Sequence, residues 1–436
     1  MRISKRGRSA LVATAAVALA SGSLAACGGG GSSSSGSDSK SVTIWTSVDQ
    51  PVVDGFNKVL LPEAKKQGIT VNIKKVNDIN TLIMTSIQAN KAPDIAMIPQ
   101  PGVVAEIVKR NKGTALDSIL DMNALKSSMT AGTLEAGQVN GKQYGLLASM
   151  NVKSLVFYNK KAWAKAGYPI PKSLPELEQL TDKIKADGGT PWCMGIQDPG
   201  GASGWPMTDW MEDLVMRYGG AQKYNDWVTH KISFNDPVVQ QAGQEVQKLL
   251  FTSGNVTGGQ KAVANSNWQT VANHMFDPKP GCWMLKQGNF ITGFFPKAVQ
   301  SNLDANVGVF GFPPATAGGE DPTLGGGDQA VLINDNKSSE AVMKLMSDKS
   351  LGTAAAKNGD YISPHKDFDV SLYPNNVVKG AAQVAYKSSA FLFDGSDAMP
   401  ASVGAGTFWK EMVSWTAGEE DLNTALKNID QSWPTS

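Results

Sequence analysis

The sequence predicts an α/β fold built in more than one packing unit. Three observations carry that prediction. Between Val42 and Gly102 short β-prone runs alternate with helical ones, a chain of 436 residues is too long for a single core, and 45 Gly and 22 Pro supply the tight connections that such alternation needs. With 41% hydrophobic and 18% charged residues, the composition is globular and far from the disordered regime. Lys+Arg 40 against Asp+Glu 39 leaves no electrostatic footprint for nucleic acid, and no nucleic-acid partner is expected.

The first 41 residues stand outside this fold. Arg2, Lys5, Arg6 and Arg8 form a basic start, Ala10 to Ala20 is an apolar run too short to stay as a spanning helix, and Leu24-Ala25-Ala26-Cys27 follows. The layout resembles the lipobox of bacterial lipoproteins. It implies a signal peptide over residues 1–26, a diacylglycerol-bearing Cys27 and a tether to residue 41. Loss of the four basic residues leaves the mature chain about three charges negative, so acyl chains rather than electrostatics would hold it to a membrane. From Gly28 to Ser41 the chain is almost all Gly and Ser, a coil spanning roughly 20 Å. With Cys27 committed to lipid, Cys193 and Cys282 form an even pair for an oxidising compartment, and their bond would be worth on the order of 4–5 kcal/mol in the loop-entropy model. Two buried free thiols are the alternative.

The elements then follow in order. Val42 to Trp45 is β-prone; Val52, Val53, Phe56, Val59 and Leu60 fall at helical spacing until Gly68; Ile69, Val71 and Ile73 alternate as a strand. Leu82, Ile83 and Ile87 mark a second helix, and Asp94 to Ile98 is a compact apolar strand ended by Pro99-Gln100-Pro101-Gly102. This order predicts a parallel sheet with helices on its faces and a ligand site beyond the carboxyl ends of its strands, at Thr46–Gln50 and Pro99–Gly102. Asn140-Gly141 is a turn signal, Leu155–Tyr158 a strand, and Ser173-Leu174-Pro175-Glu176 a capping box opening a helix. Helices are expected at Val238–Leu250, Ala262–Met275, Ser339–Met346, Val377–Tyr386 and Thr407–Trp415. Strands are expected at Val307–Phe312 and Ala330–Ile333, with a turn-rich link from Pro313 to Gly327.

Catalytic signatures are scarce. Gly325-Gly326-Gly327 runs into Asp328-Gln329 rather than Lys-Ser or Lys-Thr, so it is no P-loop, and no Ser lies in a Gly-x-Ser-x-Gly elbow. His230, His274 and His365 lack metal-ligand spacing, and neither a metal nor a cofactor is expected. Glu212-Asp213 and Glu419-Glu420 read as solvated helix faces. Two carboxylates also serve glycosidases, which keeps a secreted carbohydrate-active enzyme open as an alternative.

Several segments carry a resemblance: the lipobox and tether, the Val42–Trp45 strand, Pro93-Asp94-Ile95, Val139-Asn140-Gly141-Lys142-Gln143-Tyr144-Gly145, Tyr158-Asn159-Lys160, Gly281-Cys282-Trp283-Met284 and Phe408-Trp409-Lys410. In this order they are similar to the extracellular solute-binding proteins of ABC sugar importers, over about residues 42–420. Thr190-Pro191-Trp192-Cys193, Gly204-Trp205-Pro206 and Gly327-Asp328 look most like the branch that takes up α-glucosides. The resemblance implies a monomeric, two-lobed periplasmic-binding-protein-like α/β fold with discontinuous lobes, 42–150 plus 318–360 and 151–312 plus 365–436. Hinges are implied near Ala148–Val152, Phe312–Gly325 and Tyr361–His365. It also implies a receptor at the outer face of the cytoplasmic membrane that hands a small oligosaccharide to an ABC transporter permease without chemistry. The same scaffold with another solute is a further alternative.

A pyranose presents CH faces and a rim of hydroxyls, so its binder needs flat aromatic surfaces and short polar groups. Trp283, by the family's motif, and Trp409 fit either a stacking platform or the core. Trp205, between Gly204 and Pro206, reads as a loop residue facing the ligand. Asp209 fits a hydroxyl acceptor or a helix N-cap. Asp328 is a second acceptor, Asp49, Gln50 and Gln100 lie beyond strand ends, and Asn151, Lys286 and Gln287 complete the candidates. Trp163, Trp227, Trp415 and Trp433 are assigned to packing.

Overall fold

The computed structural model describes residues 40–48, 50–356 and 361–434, and within residues 50–356 it leaves the side chains of 50–52, 55, 354 and 355 undescribed. Cys27, the signal segment, the tether up to residue 39 and Asp49 lie outside the described residues. Strand β1 (Ser41–Thr46) leads into helix α1 (Gln50–Lys66), β2 (Thr70–Lys75), α2 (Ile79–Gln88), β3 (Ile95–Ile98) and α3 (Pro101–Lys109), the alternation the sequence predicts. All four residues of β3 are buried, as expected of a strand covered on both faces, whereas β1 buries Val42, Ile44 and Thr46 in alternation.

The sheet is not wholly parallel. After α4 (Met122–Ser128), the β4 (Gln138–Val139) and β5 (Lys142–Gln143) hairpin turns at Asn140-Gly141, and β6 (Gly145–Leu147) and the later β12 (Gln329–Leu332) complete the order β2-β1-β3-β12-β6. β1 pairs in parallel with β2 and β3, but β12 runs antiparallel to β3, with Gln329 opposite Ile98 and Leu332 opposite Ile95. The chain re-enters at the carboxyl end of β3 from the other half of the molecule, so it has no crossover helix to reverse its direction.

A second, antiparallel sheet has β8 (Leu155–Asn159) between β9 (Met284–Lys286) and β10 (Val307–Gly311). Between the two sheets, β7 (Asn151–Val152), β11 (Thr323–Gly326) and β13 (Phe391–Phe393) form a third, ordered β13-β11-β7. The glycines at 325 and 326 thus lie in a strand and not in the turn-rich link expected there, because β7 and β13 pin them from both sides. Met150 N–H donates to Ile362 O at 2.8 Å, bringing the chain near residue 362 alongside β7.

The second half carries α5 (Lys160–Ala166), α6 (Leu174–Ala186) and α7 (Trp205–Val228). Ser173 caps α6 by accepting from Glu176 N–H, but Glu176 reaches Lys172 N–H and not Ser173 N–H, so the capping box is shifted by one residue. The helix expected over Ala262–Met275 is broken into Gln260–Asn265 and a 3-10 segment, Val271–Phe276. Between them Trp268 is buried and Asn267 bridges to Gln197, so tertiary packing overrides the local pattern. Likewise Thr407–Trp415 begins inside a π-helical turn, Ser402–Phe408, before the α-helix Trp409–Ala417.

Cys193 and Cys282 are bonded, closing a loop with a sequence separation of 89. Cys193 N–H donates to Met284 O at 2.7 Å, so the bond reinforces a strand-like pairing beside β9. Trp163, Trp227 and Trp415 are buried, and Trp433 stacks on His230, as packing residues should.

Candidate functional site

Six chain segments converge on one buried centre, around Gln100, Lys153, Asp209, Lys286, Asp394 and Trp409. From the first half comes Gln100, just beyond β3 and opening α3. Its Oε1 accepts from Asn80 Nδ2 at 2.7 Å and its Nε2 donates to Asp397 Oδ1 at 2.9 Å. Asp397 belongs to a short helix, Gly395–Ala398, that follows β13 and is capped by Asp394. Glu212 of α7 fastens that helix to the second half by accepting from Gly395 N–H at 2.8 Å and Ser396 N–H at 3.0 Å. The Gln100–Asp397 contact therefore joins the end of β3 to the segment held by α7.

The third segment is the start of α7. Gly204 has φ 110° and its N-cap position directly precedes Trp205, with Pro206 in the first turn; a Cβ on Gly204 would meet Trp409 O at 2.3 Å. Trp205 is consequently the first residue of a helix, not a loop residue, because glycine and proline here start α7. Asp209 sits one turn in, so it is not an N-cap. Glu212 and Asp213 are buried, against the solvated face expected of them, because this end of α7 is enclosed on all sides.

The fourth segment, between β7 and β8, contributes Lys153. Its Nζ lies 3.0 Å from Asp209 Oδ1, is also paired with Asp394, and stands 5.2 Å from the centre of the Trp205 ring. Lys286, at the end of β9, pairs with Asp213 at 2.6 Å and donates to Asp209 O at 3.0 Å. Trp205 is half-buried and meets Trp268 and Phe290 edge-on, at 5.0 and 5.9 Å. Trp409, also half-buried, donates from Nε1 to Ser396 Oγ at 3.1 Å, and Ser396 Oγ in turn donates to Asp394 at 2.8 Å.

Carboxylates outnumber cations in this enclosure. Burial first, and then the charge of Asp394, pushes Asp209 up to about 7 and raises Glu212 well above the ordinary range. Asp397 is raised well above its ordinary value for the same two reasons. Asp394 goes the other way: burial opposes its charge, but Lys153 and hydrogen bonds to the carboxylate outweigh it. Lys153 is likewise penalised by burial but held charged, well above its ordinary value, by Asp209, Asp394 and Asp397. Asp209, Glu212 and Asp394 each offer an oxygen within 4.8 Å of the others, a spacing that suits a cation. Lys153 already sits on two of them and backbone N–H groups occupy the third.

Raised carboxylates mean that the folded state binds more protons than the unfolded chain between about pH 4 and pH 7, so their contribution to stability is fullest in acid and is lost as pH rises through about 7. Buried His365 is shifted down and works in the opposite sense. Asp209→Asn removes one contributor and leaves His365 alone. Calorimetric melting between pH 5 and pH 8 should therefore show a shallower fall for Asp209→Asn than for the wild type; parallel curves would contradict the assignment.

Of the residues singled out from sequence, the structure gathers Gln100, Trp205, Asp209, Lys286 and Trp409 around this centre. Asn151 and Asp328 are half-buried at its edge, Asn151 pairing with Gly326 and Asp328 preceding β12 at the carboxyl end of β3. Gln50 opens α1, and Gln287 is buried with its Oε1 accepting from Gly288 N–H. Trp283 is not gathered in. It precedes β9 while Lys286 ends it, so it stands at the opposite end of that strand, roughly 10 Å away at strand rise. Lys153, Asp394, Asp397 and Asn80 were not anticipated. The sequence signal for two of them was present: an apolar Phe391-Leu392-Phe393 run followed by Asp394-Gly395-Ser396-Asp397 is a strand end with acceptors beyond it.

Residues 47–347 match the family model of bacterial extracellular solute-binding proteins. The chain belongs to this family of bacterial extracellular solute-binding proteins. This solute-binding protein is 33% identical over 91% of its length to an osmoprotective compounds-binding protein of Synechocystis sp., covering 93% of that chain. It is 31% identical over 89% of its length to an alpha-glucosides-binding periplasmic protein of Rhizobium meliloti, covering 85% of it. A solved chitin oligosaccharide binding protein superposes with TM-score 0.73 at 20% identity, over 89% of this chain and 97% of that one. One from work on xylan utilization by Caldanaerobius polysaccharolyticus gives 0.74 at 20%, over 90% and 99%. The fold of the solute-binding protein is thus the two-lobed α/β fold of those structures. No helix among its described residues is long and apolar enough to cross a membrane.

Proposed function

We propose that this solute-binding protein is the lipid-anchored receptor of an ABC importer and captures a small α-glucosidic oligosaccharide between its lobes. Residues 42–150 with 318–360 form one lobe and 151–312 with 365–436 the other, with hinges near residues 148–152, 312–325 and 361–365. The protein delivers its ligand unchanged to the permease. The observation that carries the reading is the convergence of Trp205 and Trp409 with Gln100, Asp209 and Asp397 at the point where the halves touch. Indole faces suit the CH patches of a pyranose, and carboxylates and a carboxamide suit its hydroxyls. The likeness to an alpha-glucosides-binding relative supports the linkage, and the lipobox ending at Cys27 supports the anchor.

Ligand that binds the native state alone stabilises it by about 2.7 kcal/mol at a hundredfold excess over Kd. A thermal-shift panel of maltose, maltotriose, trehalose and sucrose should therefore raise the melting temperature with at least one α-glucoside. No shift with any of them would overturn the linkage. A second reading, that the ligand is an osmoprotective compound, is favoured by the 33% identical relative, and a compatible-solute arm of the same panel tests it. Mass spectrometry of the cell-derived protein should find diacylglycerol on an N-terminal Cys27.

A further inference from the structure

We propose that the groove around Trp283 is a second binding site, for an anionic saccharide, separate from the site between the lobes. The groove has a volume of about 810 Å³, within the range of small-molecule sites, and its walls come from α5, the loop before the disulfide and the segment near residue 299. Trp283 contributes to the wall and is only half-buried, unlike the packing tryptophans Trp163, Trp192, Trp227 and Trp415.

The indole is held in place for this role. Its edge-on contact with Tyr168 is at 5.0 Å, the backbone N–H of Trp283 donates to Thr190 O at 3.1 Å, and the neighbouring Cys282 is disulfide-bonded. Gly189 leaves the room it needs, since a Cβ there would come within 2.5 Å of Trp283 Nε1. A rigid aromatic surface loses little entropy when a ring is laid on it.

Charge sets the class of ligand. Lys161, Lys165 and Lys279 line the groove against a single acid, Asp277, which is already paired with His274 at 2.9 Å. Lys161 is engaged by Asn306, whereas among the described residues no hydrogen bond or ion pair holds Lys165 or Lys279. Two uncommitted ammonium groups beside an indole suit a sugar ring that carries an acid, whether carboxylate or phosphate.

The test is titration calorimetry of the protein at low salt with tetragalacturonate, a carboxylate source, and glucose 1-phosphate, a phosphate source. At least one should bind, and the Lys165→Ala/Lys279→Ala double variant should bind it about tenfold more weakly, as two exposed charges predict. Both lysines are exposed, so the double variant keeps the fold. Trp205→Ala, whose ring lines the interlobe site and not this groove, should leave this binding unchanged. The proposal is overturned if neither probe binds, if the lysine variant binds as well as the wild type, or if Trp205→Ala abolishes the signal. The first two results leave the α-glucoside reading untouched, whereas the third moves the anionic probe to the interlobe site.

Discussion

Replacing Lys153 with Met is expected to cost about 3–5 kcal/mol of stability at pH 8, because it leaves Asp209 and Asp394 buried without their cation. In a protein of this size that corresponds to a fall in melting temperature of roughly 4–8 °C. Methionine keeps the length and flexibility of the stem, so the loss reports on charge and not on a cavity. The dependence on pH is the distinguishing feature. Carboxylates that have lost Lys153 relieve their repulsion by taking up protons, so the deficit should shrink as the pH is lowered toward 5. A variant as stable as the wild type at pH 8 would mean that Lys153 is not the cation that balances the enclosure. A deficit equal at both pH values would put the cause in packing.

Trp205→Ala is expected to weaken α-glucoside binding by at least tenfold, about 1.4 kcal/mol, from the loss of ring stacking and of the surface that excludes water around Asp209 and Lys153. Trp205 also packs against Trp268 and Phe290, so truncation removes apolar contact and lowers the melting temperature of the ligand-free protein. Trp205→Phe separates the two effects: it retains most of the packing and part of the face, and its affinity should lie between those of the wild type and the alanine variant. Trp409→Ala should act in the same direction more weakly, because Trp409 is further held by Ser396. Unchanged affinity in both alanine variants would remove these rings from the site.

Much of the first lobe can be read from local pattern alone. The Val42–Trp45, Ile69–Ile73 and Asp94–Ile98 runs and the helices between them are set by short-range periodicity, and Gln100 follows because anything beyond a strand end in such a sheet faces the crevice. The antiparallel course of β12 has no local signature: the run Ala330–Leu332 is apolar in either direction, and only the pairing of β12 with Ile95–Ile98 decides it. Trp283 shows the same limit from the other side, since a three-residue strand carries too little pattern to say which of its ends reaches the cleft. Glu212 and Asp213 read as surface acids because charge is normally solvated. They are buried through partners that lie far away in sequence, Gly395 and Ser396 for Glu212 and Lys286 for Asp213, and Asp213 is also paired with Arg217 one turn further along α7. Lys153 was equally silent, since nothing near it in the chain is acidic and its partners are Asp209 and Asp394.

The central claim is that one guest is held between the lobes by Trp205, Gln100 and the carboxylates of Asp209 and Asp397. A crystal structure with the α-glucoside giving the largest thermal shift tests it most directly. The account predicts sugar density against the Trp205 ring, with ring hydroxyls within hydrogen-bond distance of Asp209 or Asp397 and of Gln100. Density confined to the groove at Trp283, or to any surface away from the junction of the lobes, would contradict it.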